Sequence, residues 1–226
     1  MCFTVKYITQ KKLKYAQRRG DSADEINQLE RDIQDLTLNM EAQEAASGFI
    51  HPPLLVFKNT KPLKPALLNW GLIPYWINDK KRATQIRNKT LNARGETIFE
   101  KPSFKKPAQQ QRCLVMVDGF YDYHYIDNKA HPYLFENRDK TPLVFAGLWD
   151  NCRTVDDTIW NTVTIVTTPA EGLVKEIQNN PKKTEARTPL ILTKETETIW
   201  LNNSTKQQIE DVIYAKVVND LVVQGK

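Results

Sequence analysis

Cysteine is scarce. The 226-residue chain carries three, Cys2, Cys113 and Cys152. They are too few and too scattered for a disulfide framework, and their spacing matches no zinc-binding pattern, so a reducing compartment and no bound metal are expected. Long hydrophobic runs are lacking as well. No stretch approaches the roughly 20 apolar residues of a membrane span. The start, MCFTVKYITQKK, has no apolar core of a secretory signal, so a soluble cytoplasmic protein with no membrane partner is expected. Internal repeats, low-complexity tracts and long linkers are also missing, which excludes solenoids and strings of modules. What remains is the composition of a globular protein, 40% apolar and 26% charged. At this size about 70% of the unfolded surface is buried on folding, and a core forms without staples. One domain over residues 1–226, a monomer, is expected. Lys and Arg number 32 against 27 Asp and Glu, and the formal charge of +5 permits a polyanionic partner without demanding one.

Between Ser22 and Ala46, the residues Ile26, Leu29, Ile33, Leu36 and Met40 recur at alternating steps of three and four, which predicts one long amphipathic helix. Ser22 with Glu25 reads as a capping box at its start, and Gly48 as its end. The basic stretch Thr9 to Arg19, with Gly20 as hinge, predicts a shorter first arm, so a helical insertion over about residues 9–47 is expected. From Pro53 onward the pattern changes to short β-type runs: Leu54 to Phe57, Ala66 to Trp70, Arg112 to Val117, Tyr133 to Glu136, Leu143 to Leu148, Thr162 to Thr168 and Leu190 to Leu192. Short helical patterns lie near Glu96 to Phe99, Glu171 to Gln178, Glu195 to Leu201 and Ser204 to Ala215. The class is α+β: one domain on a predominantly antiparallel sheet or barrel-like core, with peripheral helices and the N-terminal insertion.

Several residues can carry chemistry. If Met1 is removed, Cys2 becomes a 1,2-aminothiol whose amine and thiol both hold useful nucleophilic fractions near neutral pH. Asn92 and Arg94 suit recognition of an anion or a carbonyl, because Arg offers a fork of donors and Asn both donates and accepts. Asp122 lies among aromatic residues, where desolvation raises a carboxyl group into the range of a general acid or base. Trp70 to Trp76, followed by Lys80, Lys81, Arg82 and Arg87, offers rings beside cations, as single-stranded nucleic acid requires. Thr167, Thr168, Lys182, Lys183 and Arg187 can hold phosphate. Each group also has a plain structural reading: a residue that merely follows the initiator, a turn before a helix, a local acceptor, core tryptophans, a polar loop.

Taken in order, the motifs add to this. They are Met1-Cys2, W-G-L-I-P-x-W at Trp70 to Trp76, N-A-R-x-E-T at Asn92 to Thr97, K-P-S-F at Lys101 to Phe104, R-C-L-V-x-x-D-G-F-Y at Arg112 to Tyr121, F-A-G-L-W-D at Phe145 to Asp150, and T-I-V-T-T followed by R-x-P-L-I-L. Together they resemble the SOS response-associated peptidase (SRAP) family of abasic-site processing proteins, over nearly everything from Gly48 to about Leu201. The resemblance implies a β-rich domain that binds single-stranded DNA containing abasic sites. It also implies a crosslink through Cys2 to the lesion aldehyde as a thiazolidine, with no cofactor, in the cytoplasm at the nucleoid. Cys2 would be the nucleophile; Asn92 and Arg94 would hold the N-terminus and a phosphate. Asp122 stands where the family has Glu and would assist proton transfer. Trp76 would stack beside the lesion, and Thr168 and Arg187 would contact phosphate. A self-processing peptidase activity is also associated with the family. The family's I-H-x-R-M-P histidine is missing: anchoring on Ile177 places Gln178 there, anchoring on Arg187 places Glu185 there. Gln cannot shuttle a proton, whereas Glu can. Two other readings stand beside this one, a noncovalent lesion-binding module with decayed chemistry and a cysteine peptidase acting on other chains.

Overall fold

All six residues of Arg112–Val117 are buried. A strand without a solvent face needs partners on both edges and packing on both sides, and the fold supplies them by closing a barrel. The structure, a computed structural model, describes residues 3–7, 12–180, 184–215 and 221–225. Its strands are β1 (Thr4–Tyr7), β2 (Gln43–Ser47), β3 (Pro53–Lys58), β4 (Lys61–Trp70), β5 (Asn92–Arg94), β6 (Arg112–Val117), β7 (Gly119–Ile126), β8 (Lys129–Asn137), β9 (Leu143–Arg153), β10 (Ile159–Pro169), β11 (Arg187–Pro189) and β12 (Leu221–Gly225). Its helices are α1 (Lys12–Arg19), α2 (Ala23–Leu36), α3 (Lys80–Arg87), α4 (Pro102–Gln110), α5 (Gly172–Ile177), α6 (Lys194–Leu201) and α7 (Lys206–Tyr214).

The barrel runs β4-β3-β6-β9-β10 and closes where β10 pairs with β4 in parallel, Thr162 beside Asn69 and Val163 beside Trp70. Its other pairs are antiparallel. The period-two alternation of strands divides the buried side chains. Leu54, Val56, Val115 and Phe145 pack with Val5, Phe120 and Phe135 of a second sheet. Leu55, Phe57, Leu114 and Met116 pack with Tyr15, Leu29, Phe104 and Trp200 of the helices. The second sheet is antiparallel throughout, in the order β12-β8-β7-β1-β2. Only Asp118 separates β6 from β7, so the chain passes directly from barrel to sheet. A Cβ at Gly119 would lie 2.6 Å from the Phe135 carbonyl oxygen, and glycine alone permits that crossing.

The α+β class and barrel-like core agree with the sequence reading; the long helix is a correction. The Ser22–Glu25 capping box is formed, but α2 ends at Leu36 rather than Ala46. Thr37 folds its hydroxyl back to donate to the Ile33 carbonyl at 2.6 Å, closing the last turn. Residues 43–47 instead become β2, because β1 needs a partner on its outer edge: Thr4 lies opposite Ser47. Met40 keeps helical spacing only by coincidence and packs against the sheet cluster. Gly48 is not a helix stop; its amide donates to Phe3 O at 2.7 Å. The run expected at Leu190 to Leu192 pairs three residues earlier, as β11, while Ile191 makes a single bridge to Phe145.

The helical hairpin is tied to the barrel side by one buried acid. Glu197 of α6 is 1% exposed and pairs with Arg18 and with Arg19, the latter at 3.2 Å. The Arg19 guanidinium also lies 5.3 Å from the Phe57 ring centre. Burial pushes the Glu197 carboxyl up, and the two arginines oppose that. Removing one member of a buried ion pair strands its partners in low dielectric, so Glu197→Ala should cost about 3 kcal/mol. Hydrogen exchange should then rise first in α1 and α2 while β6 and β9 stay protected. Unchanged protection of the hairpin would contradict this.

Candidate active site

The site is assembled where β10 outruns the barrel. Beyond Ile165, β10 takes two short new partners: β5 in parallel, with Thr167 beside Arg94, and β11 antiparallel, with Thr168 beside Thr188 and Pro169 beside Arg187. Asn92, Arg94, Thr168 and Arg187 thereby come to one end of one sheet. Arg94 is exposed, Asn92 and Thr168 are half-buried, and a cleft of about 460 Å³ opens beside Thr168 and Thr188.

Arg187 is 1% exposed. Its Nη1 donates to Glu96 Oε1 at 2.8 Å and to Glu185 Oε2 at 2.9 Å. Its Nη2 donates to Glu96 Oε2 and to Thr167 O, both at 2.7 Å, and Nε to Thr167 Oγ1 at 3.3 Å. All five N–H groups are thus taken by the protein. The expected phosphate contact by Arg187 is therefore corrected to a positioning role, since no donor is left for a ligand. Burial alone would lower the Arg187 pKa, but Glu96 and Glu185 outweigh it and hold the charge more firmly than usual. Burial likewise works against an ionised Glu96, yet the hydrogen bonds and charge of Arg187 bring that carboxyl below its ordinary value.

Gln178 links this hub to Asp122. Arg187 N donates to Gln178 Oε1 at 2.9 Å, while Gln178 Nε2 reaches Asp122 Oδ2 and Arg187 O, each at 2.5 Å. Asp122 is 3% exposed, and its Oδ1 accepts from Tyr123 N at 2.9 Å. Of the two positions left open by the sequence, Gln178 meets Asp122 and Glu185 meets the arginines, with Arg94 Nη1 3.4 Å from Glu185 Oε2. A continuous chain of contacts therefore runs Asp122–Gln178–Arg187–Glu185–Arg94.

Cys2, Lys182 and Lys183 lie outside the described residues. The strand that follows Cys2 is described: in β1, Thr4 pairs with Tyr121, so β1 read backwards runs along β7 toward Asp122.

The aromatic motif divides. Trp70 is core, fully buried, with its indole N–H donating to Leu91 O at 2.7 Å. Gly71 turns the chain at φ +111°, and the motif ends on exposed Tyr75 and Trp76. Arg82 lies 5.5 Å from the Trp76 ring centre, and Lys106 Nζ 3.6 Å from that of Tyr75. The sequence did not point to Asp150, a buried carboxylate that accepts from Tyr75 N at 2.9 Å and so holds the aromatic turn. It also did not reveal Glu96 as the anchor of Arg187, although the two stand as opposite charges within separate motifs.

The chain matches the family model for the SOS response associated peptidase (SRAP) over residues 2–223. It belongs to the SRAP family. The abasic site processing protein YoqW of Bacillus subtilis is 39% identical over 136 residues, 60% of this chain and 56% of that protein. YoaM of the same organism, named likewise, is 33% identical over 157 residues, covering 68% and 64%. The abasic site processing protein HMCES of Pongo abelii is 33% identical over 103 residues, 39% and 29%. The SRAP chain thus spans little more than half the length of YoqW. A crystal structure of a Bacteroides thetaiotaomicron protein superposes with a TM-score of 0.84 at 29% identity, covering 99% of this chain and 91% of that one. One from Bordetella bronchiseptica, at 22% identity and TM-score 0.76 over 100% and 99%, shares the fold.

Because Glu96 is ionised more readily when folded, its stabilisation of the SRAP site is complete above its unfolded value of 4.5 and is lost as pH falls through the lower folded value. Glu96→Gln should therefore cost about 3 kcal/mol at neutral pH, the lower end for a broken buried pair. Its deficit against the parent protein should shrink below pH 4.5 in denaturant titrations. A deficit independent of pH would contradict the assignment.

Proposed function

We propose that this SRAP protein captures abasic sites in single-stranded DNA by a covalent bond to Cys2. The observation that supports it best is the bonded chain from Asp122 through Gln178, Arg187 and Glu185 to Arg94, which joins an acid of β7, the strand that pairs with β1, to an exposed cation. Removal of Met1 gives Cys2 a free amine. The amine adds to the ring-opened aldehyde and water leaves, forming an imine; the thiol sulfur then adds to the imine carbon and its proton passes to nitrogen. The resulting thiazolidine needs no oxidant, reductant or cofactor. Asp122 serves proton transfer in the ring-opening and dehydration steps. Asn92 holds the N-terminus, Arg94 takes a backbone phosphate, Thr168 contacts phosphate, and Trp76 stacks on an unpaired base with Arg82 against its ring. DNA carrying the lesion is the partner, and the nucleoid is the place of action.

Gln178 sets the behaviour of the adduct. Its amide orients Asp122 but exchanges no proton, so reversal is slow. That same amide favours the second reading, a noncovalent lesion-binding module. Intact mass after incubation of the Met1-processed protein with an abasic oligonucleotide separates the two: an adduct absent from Cys2→Ser supports capture, and salt-sensitive binding without an adduct supports the module. Gln178→His should speed release of the adduct about a hundredfold or more, within the roughly 10²–10⁴ range of acid–base assistance. Glu185→His should not. Release at the parent rate in Gln178→His would show that position 178 is not the proton-transfer position.

A further inference from the structure

Four charges meet at the edge of the site, Arg187, Glu96, Glu185 and Arg94, and they are not equivalent. Arg187 and Glu96 form a closed bidentate pair, with the arginine 1% exposed and no donor spare. Glu185 and Arg94 form an open pair, 37% and 54% exposed, separated by 3.4 Å. One oxygen, Glu185 Oε2, serves both guanidinium groups, at 2.9 Å to Arg187 and 3.4 Å to Arg94. Glu96 alone can balance the charge of Arg187, so Glu185, bonded to Arg187, is also available to Arg94, an exposed cation in its reach. A carboxylate beside an exposed guanidinium offers what a phosphate would offer, an anionic oxygen to an N–H donor.

We propose that Glu185 is a phosphate-mimicking gate. In the free protein it holds Arg94, and a DNA phosphate must displace it before the strand seats. The gate penalises noncovalent binding of any strand, damaged or not. An undamaged strand gains nothing in return, whereas a lesion gains the bond to Cys2. Glu185 is thus a specificity-determining residue. Its tie to Arg187 keeps it at the site after displacement, so it swings away from Arg94 without leaving. The inference rests on the reading of Arg94 as a phosphate contact.

The test uses Glu185→Gln, which removes the charge but keeps an oxygen to accept from Arg187. With a short unmodified single-stranded oligodeoxynucleotide at low salt, Glu185→Gln should bind roughly two- to fivefold more tightly than the parent, the range expected for one exposed ion pair. The difference should vanish near 1 M salt, where the screening length is about 3 Å. In an Arg94→Gln background the same substitution should change nothing, because the competitor has no cation left to compete for. Equal or weaker binding by Glu185→Gln overturns the gate and leaves Glu185 a buttress of Arg187; so does tightening that persists in Arg94→Gln. Adduct yield on abasic DNA is read in the same samples. Normal adduct with unchanged affinity defeats the gate alone, whereas a parent protein that neither binds nor crosslinks defeats the proposed function and the gate with it.

Discussion

A buried guanidinium is costly unless its charge and every N–H are met, and the geometry of this site follows from how Arg187 meets that demand. The side chain sits at the junction of β10 and β11, where Thr167 supplies two acceptors. Glu96 comes from the turn after β5, 91 residues away in sequence, and supplies two more. Satisfying one arginine therefore fixes β5 against β10, and with β5 the positions of Asn92 and Arg94. The main chain of the same residue grips Gln178 on both its amide groups, which fixes the partner of Asp122 in the other sheet. Two sheets and a loop are thus registered by one side chain and its own backbone.

How much of this was legible beforehand depended on whether a signal was local. β6 and β3 were legible because four or more consecutive apolar, partly β-branched residues define a buried strand. The Ser22–Glu25 box was legible because both partners lie within one turn. β1, β2 and β5 were not, since three to five mixed residues become strands only when a distant edge calls for them; β2 even lay inside an apparent helical period. At the site, the residue types were legible and their connections were not. Arg187 looked like a phosphate ligand because its sequence neighbours are polar; only its burial and its pairing with Glu96 show that it is structural. Likewise Gln178 and Glu185 could not be told apart by counting from either anchor, because the intervening segment is longer than the motif allows; in the fold Gln178 bonds to Asp122 and Glu185 to Arg187.

The departures from the family pattern act together. Asp122 is one methylene shorter than Glu, and the amide of Gln178 spans from Arg187 to it. An amide at position 178 bonds to Asp122 but carries no titrating group. Glu185 adds a negative charge beside the exposed cation. A slow-to-reverse capture and a restrained noncovalent affinity are consistent with one another: a protein that releases its target slowly is better served by binding undamaged strands weakly. The aromatic turn held by Asp150 completes the surface, with Trp76 and Tyr75 exposed and each accompanied by a cation.

The central claim is that the bond forms at Cys2, and peptide mapping of the adduct tests it most directly. Protein incubated with abasic DNA, then digested with nuclease and protease, should yield the sugar remnant on the peptide that begins with Cys2, stable without borohydride, as a thiazolidine is. A remnant found on a lysine, and only after reductive trapping, would contradict the account.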